Sequence, residues 1–189
     1  MLSRTKVCLP AILCFSFSLS YGLAGAHETG QTATSQREAI HVPPNSQGPK
    51  VQNKDTLGAY SLIEFTVKPG TGPVPHRHSR EDEAFYVLDG ELEFRLGERG
   101  ERVIVVTAGS FIFAPRGIPH TFKNSGTTPA RALVIISPAG LEAFFGERRA
   151  LQKQVPTTDA SYPARSNALN EKYGLEYSSD WMFPPKTGN

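Results

Sequence analysis

The sequence has only two cysteines, Cys8 and Cys14, and both lie within its first 26 residues. From residue 27 onwards there is no thiol, so disulfide bonds cannot stabilise that part of the chain. A hydrophobic core must hold the fold together there, and any metal site must be built from histidine and carboxylate side chains.

The N-terminal segment has the arrangement of a secretory signal peptide. Arg4 and Lys6 have no acidic partner, an apolar run begins at Val7, and small residues end the segment at Ala26. This arrangement predicts that residues 1–26 are removed after export, which places the protein in the periplasm or outside the cell. An uncleaved N-terminal anchor is the alternative interpretation.

An excess of charge of one sign is also missing. The chain has 20 basic and 18 acidic residues, and the two basic residues of the signal segment account for the difference. The lack of a basic stripe argues against a nucleic-acid-binding surface. No apolar run after residue 26 is long enough to cross a membrane. We therefore expect a small molecule as the partner.

Short β-branched and aromatic runs follow a polar leader over residues 27–55. The runs that predict strands span residues 60–67, 85–88, 91–96, 102–106, 111–113, 120–123 and 132–136. Turn residues recur between them about every eight to twelve positions, a pattern typical of a sandwich or barrel. We expect an all-β domain over residues 56–138. The end of the leader, residues 40–51, is expected to be an edge element that a homodimer could exchange.

The hydrophobic period changes after Pro138. Residues 141–152 place apolar side chains near one helical face, and residues 166–173 predict a second short helix that ends at Gly174. We therefore interpret residues 139–189 as a helical extension and an irregular tail that pack on the outside of the barrel.

One segment combines two histidines and a glutamate between glycines. It reads Gly70-x5-His76-x-His78-x4-Glu83-x6-Gly90. The two-residue period of a strand points His76 and His78 to the same face. Glu83 follows at an odd offset, so residues 79–82 must turn or bulge for it to join them. Glu81 and Asp82 are expected to be solvated turn residues, although either could replace Glu83.

A second segment supplies the third histidine. It reads Gly109-x5-Pro115-x-Gly117-x2-His120-x3-Asn124. Together, His76, His78, Glu83 and His120 offer imidazole and carboxylate ligands, which suit iron, manganese, nickel, copper or zinc and leave coordination positions open. A metal-free version of the same site is the alternative.

The aromatic residues of the strands are expected to form the core first of all. They are Phe65, Phe85, Phe94, Phe111, Phe113 and Phe122. Phe85 shares its strand face with Glu83, and Phe122 shares its face with His120, so these two are candidates for lining a substrate pocket. His41, beside Val42, is expected to be exposed.

Both segments resemble the two signature motifs of the cupin superfamily, with every motif residue and spacing in place. The runs HRHSREDEAFYVLDGELEF and EKYGLEY are similar to small quercetinase-like cupins. The resemblance implies a single cupin β-barrel, also called a double-stranded β-helix or jelly roll. It implies a divalent transition metal bound by His76, His78, Glu83 and His120, with Glu83 also the catalytic base. The activity it implies is an O2-dependent dioxygenase acting on a hydroxylated aromatic or enolic small molecule.

Two other functions are compatible with the same motifs, because one fold carries many activities. The first is a non-catalytic metal cupin that binds or senses a small ligand. The second is a metal-dependent isomerase or decarboxylase of a small acid, which a pocket rich in arginine or lysine would favour. Arg77 and Arg116 alternate with ligand or turn positions and are expected to face outward.

Overall fold

Two antiparallel sheets of five strands each make up the fold in a computed structural model that describes residues 39–43, 46 and 48–181. The predicted signal segment, the first part of the leader and the end of the tail lie outside the described residues. In spatial order, the first sheet consists of β1 (Gly48–Val51), β2 (Ser61–Val67), β9 (Ala130–Ser137), β4 (Asp82–Asp89) and β7 (Phe111–Ala114). The second consists of β10 (Leu175–Tyr177), β3 (His76–His78), β8 (His120–Lys123), β5 (Glu91–Leu96) and β6 (Arg102–Thr107). The expected all-β class, a double-stranded β-helix, is confirmed.

Alternate residues of the strands point between the two sheets and form the core. In β5 the buried positions are Leu92, Phe94 and Leu96. Phe94 packs edge-on against Phe85 of β4, with ring centroids 5.1 Å apart. Fully burying one such side chain contributes about 1.5–3 kcal/mol, so the core can stabilise these residues without disulfides.

Two of the expected core aromatics are not in the core. Phe111 and Phe113 are 59% and 52% exposed, and the buried residues of β7 are Ile112 and Ala114. The expectation for the two phenylalanines was therefore wrong. All four residues of this strand are apolar, so the two-residue period could not show which pair faces the core.

Each sheet also takes an edge strand from outside residues 56–138. β1, at the end of the leader, pairs with β2 and is the edge element expected there. β10 pairs with β3, so that Leu175 lies opposite His78 and Tyr177 lies opposite His76. Both additions cover strand edges whose backbone groups would otherwise need another partner.

Within the described residues, three helices accompany the sheets: α1 (Asn53–Thr56), α2 (Glu142–Gln154) and α3 (Tyr162–Lys172). α2 lies close to the predicted range and buries Phe144 in the core. α3 begins four residues earlier than expected, with a proline in its first turn, where the missing N–H costs nothing. Of the helices in the described part of the chain, none is long and apolar enough to cross a membrane.

The glycines Gly90 and Gly109 offer a matched test of how tightly the turns are packed. Both have positive φ, 78° and 87°. A Cβ at Gly90 would lie 2.7 Å from the Ala130 Cα, whereas a Cβ at Gly109 would meet nothing within 4 Å. Gly109→Ala should therefore cost only the left-handed backbone strain, about 1–2 kcal/mol. Gly90→Ala should cost a further ~1–3 kcal/mol for the clash. Urea unfolding of both variants measures the difference, and equal losses would contradict the packing described.

Candidate metal centre

Four buried side chains converge between the two sheets. His76, His78 and His120 come from the second sheet and Glu83 from the first. One ligand atom from each lies within 4.8 Å of the others, and all four residues are buried. The structure thus brings together the four residues predicted from the two motifs into a group that could hold a metal ion.

Strand pairing sets the positions of the three histidines. His76 and His78 share a face of β3, and His76 lies opposite His120 of β8 in the antiparallel register. The ring centroids of His76 and His120 are 4.5 Å apart. Three imidazoles therefore meet because of one register pair and the two-residue strand period.

Glu83 reaches the histidines from the opposite side. The chain leaves the second sheet after His78 and enters the first at Asp82. The odd offset between His78 and Glu83 is therefore resolved by a change of sheet. No bulge within a single strand is needed for the carboxylate to face the imidazoles.

The connecting residues 79–81 are anchored mainly from outside. The Ser79 hydroxyl donates to the Gly174 carbonyl at 3.0 Å, and the Arg80 guanidinium donates to the Lys172 carbonyl at 2.9 Å. Glu81 instead turns inward and is only 6% exposed. The expectation that Glu81 is a solvated turn residue was therefore wrong.

Asp82 and Arg77 each form an ion pair away from the histidines. Asp82 accepts hydrogen bonds from Arg116, whose side chain is 49% exposed. Arg77 pairs with Glu176 of β10 at 2.6 Å and is buried, although it lies on the face of β3 opposite the two histidines. Arg116 thus faces solvent as expected, whereas β10 covers Arg77.

The hydrogen bonds of two histidines leave the same ring atom facing the centre. His76 Nδ1 lies 3.0 Å from the Val74 carbonyl, and His120 Nδ1 lies 3.1 Å from the Ile118 carbonyl. A carbonyl oxygen only accepts, so each Nδ1 carries the proton and donates. In a neutral ring, Nε2 then presents a lone pair, which is the form that binds metals.

These lone pairs fit a cation. His120 Nε2 lies 2.9 Å from Glu83 Oε2, so two acceptors would face each other if the ring were neutral and nothing lay between them. Both ring nitrogens of His78 are buried without a hydrogen-bond partner in the structure. Either a proton or a metal ion must compensate these atoms, and three imidazoles with one carboxylate suit a divalent transition metal.

The pKa values of the candidate ligands differ, because burial and neighbouring charges act differently on each of them. Burial lowers the pKa of His76 to about 3, so this ring is neutral near pH 7. Burial also acts to lower the pKa of His78, but the nearby carboxylates of Glu81 and Glu83 outweigh it and raise the pKa to about 9. Burial favours the neutral form of Glu83, yet the imidazoles of His120 and His78 beside it hold its pKa below the ordinary value.

A cavity of about 370 Å³ reaches three of the four residues. Its inner end includes buried His76, His78 and Glu83, and its outer lining includes exposed Pro49, Phe145 and Arg149. The apolar and aromatic residues between these ends are Ile63, Phe65, Phe85, Phe122, Val134, Leu141, Phe144, Leu175 and Tyr177. The pocket candidates Phe85 and Phe122 are therefore both in the lining.

Several lining residues escaped the sequence analysis. Tyr177 of β10 stacks on the His76 ring, with centroids 5.5 Å apart. Leu141 and Phe144 come from the C-terminal extension. For these residues the sequence carries no signal, because their position depends on pairing between distant segments. The inward position of Glu81 did have a signal in the sequence. Glu81 lies two residues before Glu83, and strand periodicity would place both side chains on one face.

Comparison with known proteins agrees with this fold. The family model for the cupin domain matches residues 63–136. Germin-like protein subfamily 2 member 2 of Arabidopsis thaliana is 36% identical over 86 residues, which cover 44% of this chain and 39% of that protein. Germin-like protein 5-1 of Oryza sativa subsp. japonica is 32% identical over 114 residues, 59% of this chain and 48% of that protein. The chain therefore spans less than half the length of both relatives.

One solved structure is a Klebsiella pneumoniae protein described as having a double-stranded β-helix domain. It is 22% identical, with a TM-score of 0.43, over 52% of this chain and 84% of that one. The motifs and the two-sheet fold agree with the family match, so the barrel of this chain, over residues 63–136, is a cupin domain. Its buried His76, His78, Glu83 and His120 form a group that could hold a metal ion.

Removing one ligand tests the site directly. His120→Ala should weaken Zn²⁺ binding by more than about a hundredfold, beyond the loss typical of an outer hydrogen-bond partner. His41→Ala is the matched control, because His41 is exposed and is not among the four grouped residues. Competition with a chromophoric chelator measures both affinities. Similar affinities in the two variants would contradict the ligand assignment.

The pH dependence of metal binding follows from His78. Its pKa of about 9 means that the metal-free protein binds a proton on His78 at neutral pH. The metal must displace this proton, so affinity should fall as pH falls below 9, by about tenfold per unit for one proton. His76, with a pKa of about 3, adds no competing proton between pH 6 and 8. Calorimetry in buffers of different ionisation enthalpy counts the released protons. A metal affinity that does not change between pH 6 and 8 would refute the displacement of a proton from His78.

Proposed function

We propose that this cupin is a metal-dependent dioxygenase that acts on a hydroxylated aromatic or enolic small molecule. The proposal rests on one observation: three buried imidazoles and a carboxylate converge, and His76, His78 and Glu83 among them line the inner end of a mostly apolar cavity. A divalent transition metal held by His76, His78, Glu83 and His120 would supply Lewis-acid activation of a substrate hydroxyl and positions for substrate or dioxygen.

Glu83 is the proton acceptor in this proposal. Its lowered pKa keeps the carboxylate ionised at neutral pH, so the form that accepts a proton is the resting form. It lines the cavity, within reach of a molecule bound there, and also contacts His120. A substrate hydroxyl at the inner end of the cavity would lose its proton to this carboxylate.

The cavity walls suit a flat aromatic substrate. The rings of Phe65, Phe85 and Phe122 lie within 5.4–6.3 Å of one another. A volume of about 370 Å³ lies within the range of small-molecule pockets, of which most are apolar with few polar groups. Such walls exclude water from the inner end and would hold a ring against the metal ligands.

The charge of the cavity favours this substrate class over a small acid. Among the described residues that line the cavity, Arg149 is the only arginine or lysine, and it lies at the exposed outer end. A pocket rich in arginine or lysine would favour an isomerase or decarboxylase of a small acid, because these side chains bind the substrate carboxylate. The described lining offers no arginine or lysine at the inner end to bind such a carboxylate.

Export is part of the proposal. It is supported by Arg4 and Lys6, the apolar run that follows and the small residues up to Ala26. The protein would then meet its metal and substrate in the periplasm or outside the cell, where the lack of cysteine after residue 26 leaves it insensitive to disulfide chemistry.

Oxygen uptake tests the proposed activity. The full chain, loaded separately with Fe, Mn, Ni, Cu or Zn, is screened in an oxygen electrode against catechols and flavonols. We expect uptake with at least one redox-active metal and, with ¹⁸O2, both labelled atoms in the product. Glu83→Ala should keep some metal but lower turnover by about a hundredfold or more, since it removes the proton acceptor.

Asp82→Asn is the control for this change, because Asp82 pairs with Arg116 and does not line the cavity. Unchanged turnover in Glu83→Ala would sink the proposed role of this carboxylate. Tight zinc binding with no oxygen uptake across the panel would instead favour a non-catalytic cupin that binds a small ligand.

A further inference from the structure

A buried carboxylate outside the ligand group lies beside His78. Glu81 is only 6% exposed, and its Oε2 lies 3.7 Å from His78 Nδ1. This separation is longer than a normal hydrogen bond. Neither atom has another hydrogen-bond partner in the structure. A short approach of the two would therefore satisfy two buried polar atoms at once.

The surroundings of the three imidazoles differ in one respect. The Nδ1 atoms of His76 and His120 each donate to a backbone carbonyl two residues earlier in the chain. His78 Nδ1 makes no such bond, and Glu81 is the acceptor group that faces it. The ring therefore depends on a side chain for the orientation that the backbone gives to the other two.

The loop that carries Glu81 is held so that this side chain points inward. Ser79 and Arg80 bond outward to the carbonyls of Gly174 and Lys172, and Asp82 pairs with Arg116. Among residues 79–82, Glu81 is the one whose polar side-chain group turns toward the histidines. Burying a carboxylate oxygen such as Glu81 Oε2 without a hydrogen-bond partner is costly, which indicates a specific role for this placement.

We propose that Glu81 is the positioning residue for His78: its carboxylate accepts the Nδ1 proton of the ring and so directs Nε2 toward the centre. A metal-binding imidazole with its other N–H on a carboxylate is fixed in one tautomer and is a more basic ligand. The inference rests on the metal site of the proposed function but not on the oxidation reaction.

Metal affinity is the first test, made on the full chain with Zn²⁺ as the probe. Glu81→Ala should weaken binding by about 10–100-fold, the loss typical of an outer partner of a ligand, and Glu81→Gln by less, since the amide oxygen still accepts. Asp82→Asn, on the same loop, should change affinity less than about fivefold, as its ion pair is half exposed. Equal losses in Glu81→Ala and Asp82→Asn would overturn the inference.

The second test reads the hydrogen bond itself. In the zinc-loaded protein with ¹⁵N-labelled histidine, the Nδ1 proton of His78 should resonate downfield of those of His76 and His120, whose acceptors are neutral carbonyls. Glu81→Gln should move the His78 signal upfield and leave the other two in place. A purely structural role for Glu81 would not shift this one resonance, and an unchanged signal would refute the proposal.

These readouts separate the two proposals. Neither uses oxygen, so the role of Glu81 can hold even if no substrate is oxidised. Conversely, oxidation with normal zinc affinity in Glu81→Ala would leave the proposed function intact and remove the positioning role. If Glu81→Ala does not fold, the zinc affinity of Glu81→Gln and the His78 resonance still test whether Glu81 positions His78.

Discussion

The candidate site depends on the burial of one carboxylate among three imidazoles. Glu83 and His120 bring Oε2 and Nε2 to 2.9 Å, with both residues almost wholly buried. Such a cluster is unstable unless a proton or a metal ion compensates the facing lone pairs. The backbone carbonyls behind His76 and His120 accept the Nδ1 proton of each ring, so in the neutral ring Nε2 carries no proton. The fold therefore holds an arrangement for which a cation is the natural partner.

The site exists only because two sheets share it. Three ligands come from the second sheet, and the fourth arrives after the chain crosses to the first. β3 contributes two of them but pairs with β8 at a single residue pair, so most of its pairing comes from β10. The C-terminal segment is consequently part of the support of the site, since Leu175 and Tyr177 lie opposite the two histidines of this strand.

Sequence patterns predicted the ligands and most strands, because these depend on local spacing. His76 and His78 follow the strand period, and an Asp-Gly pair marks the hairpin between β4 and β5. The pairing of β10 could not be predicted, since register between distant segments depends on tertiary contacts. Phe111 and Phe113 were misplaced because their strand is apolar on both faces. Glu81 was misjudged as solvated, although its spacing from Glu83 carried the opposite signal.

The division between barrel and extensions also bears on function. The four ligands lie within the strands of the barrel, whereas Pro49, Leu141, Phe144 and Tyr177 of the cavity wall come from the segments on either side. The barrel also contributes Phe65, Phe85 and Phe122 to the wall, so barrel and flanking segments form the cavity together. A match over residues 63–136 covers all four ligands but none of the wall residues from the flanking segments. The shared motifs therefore account for the four candidate ligands, whereas part of the cavity wall around them comes from the flanking segments of this chain.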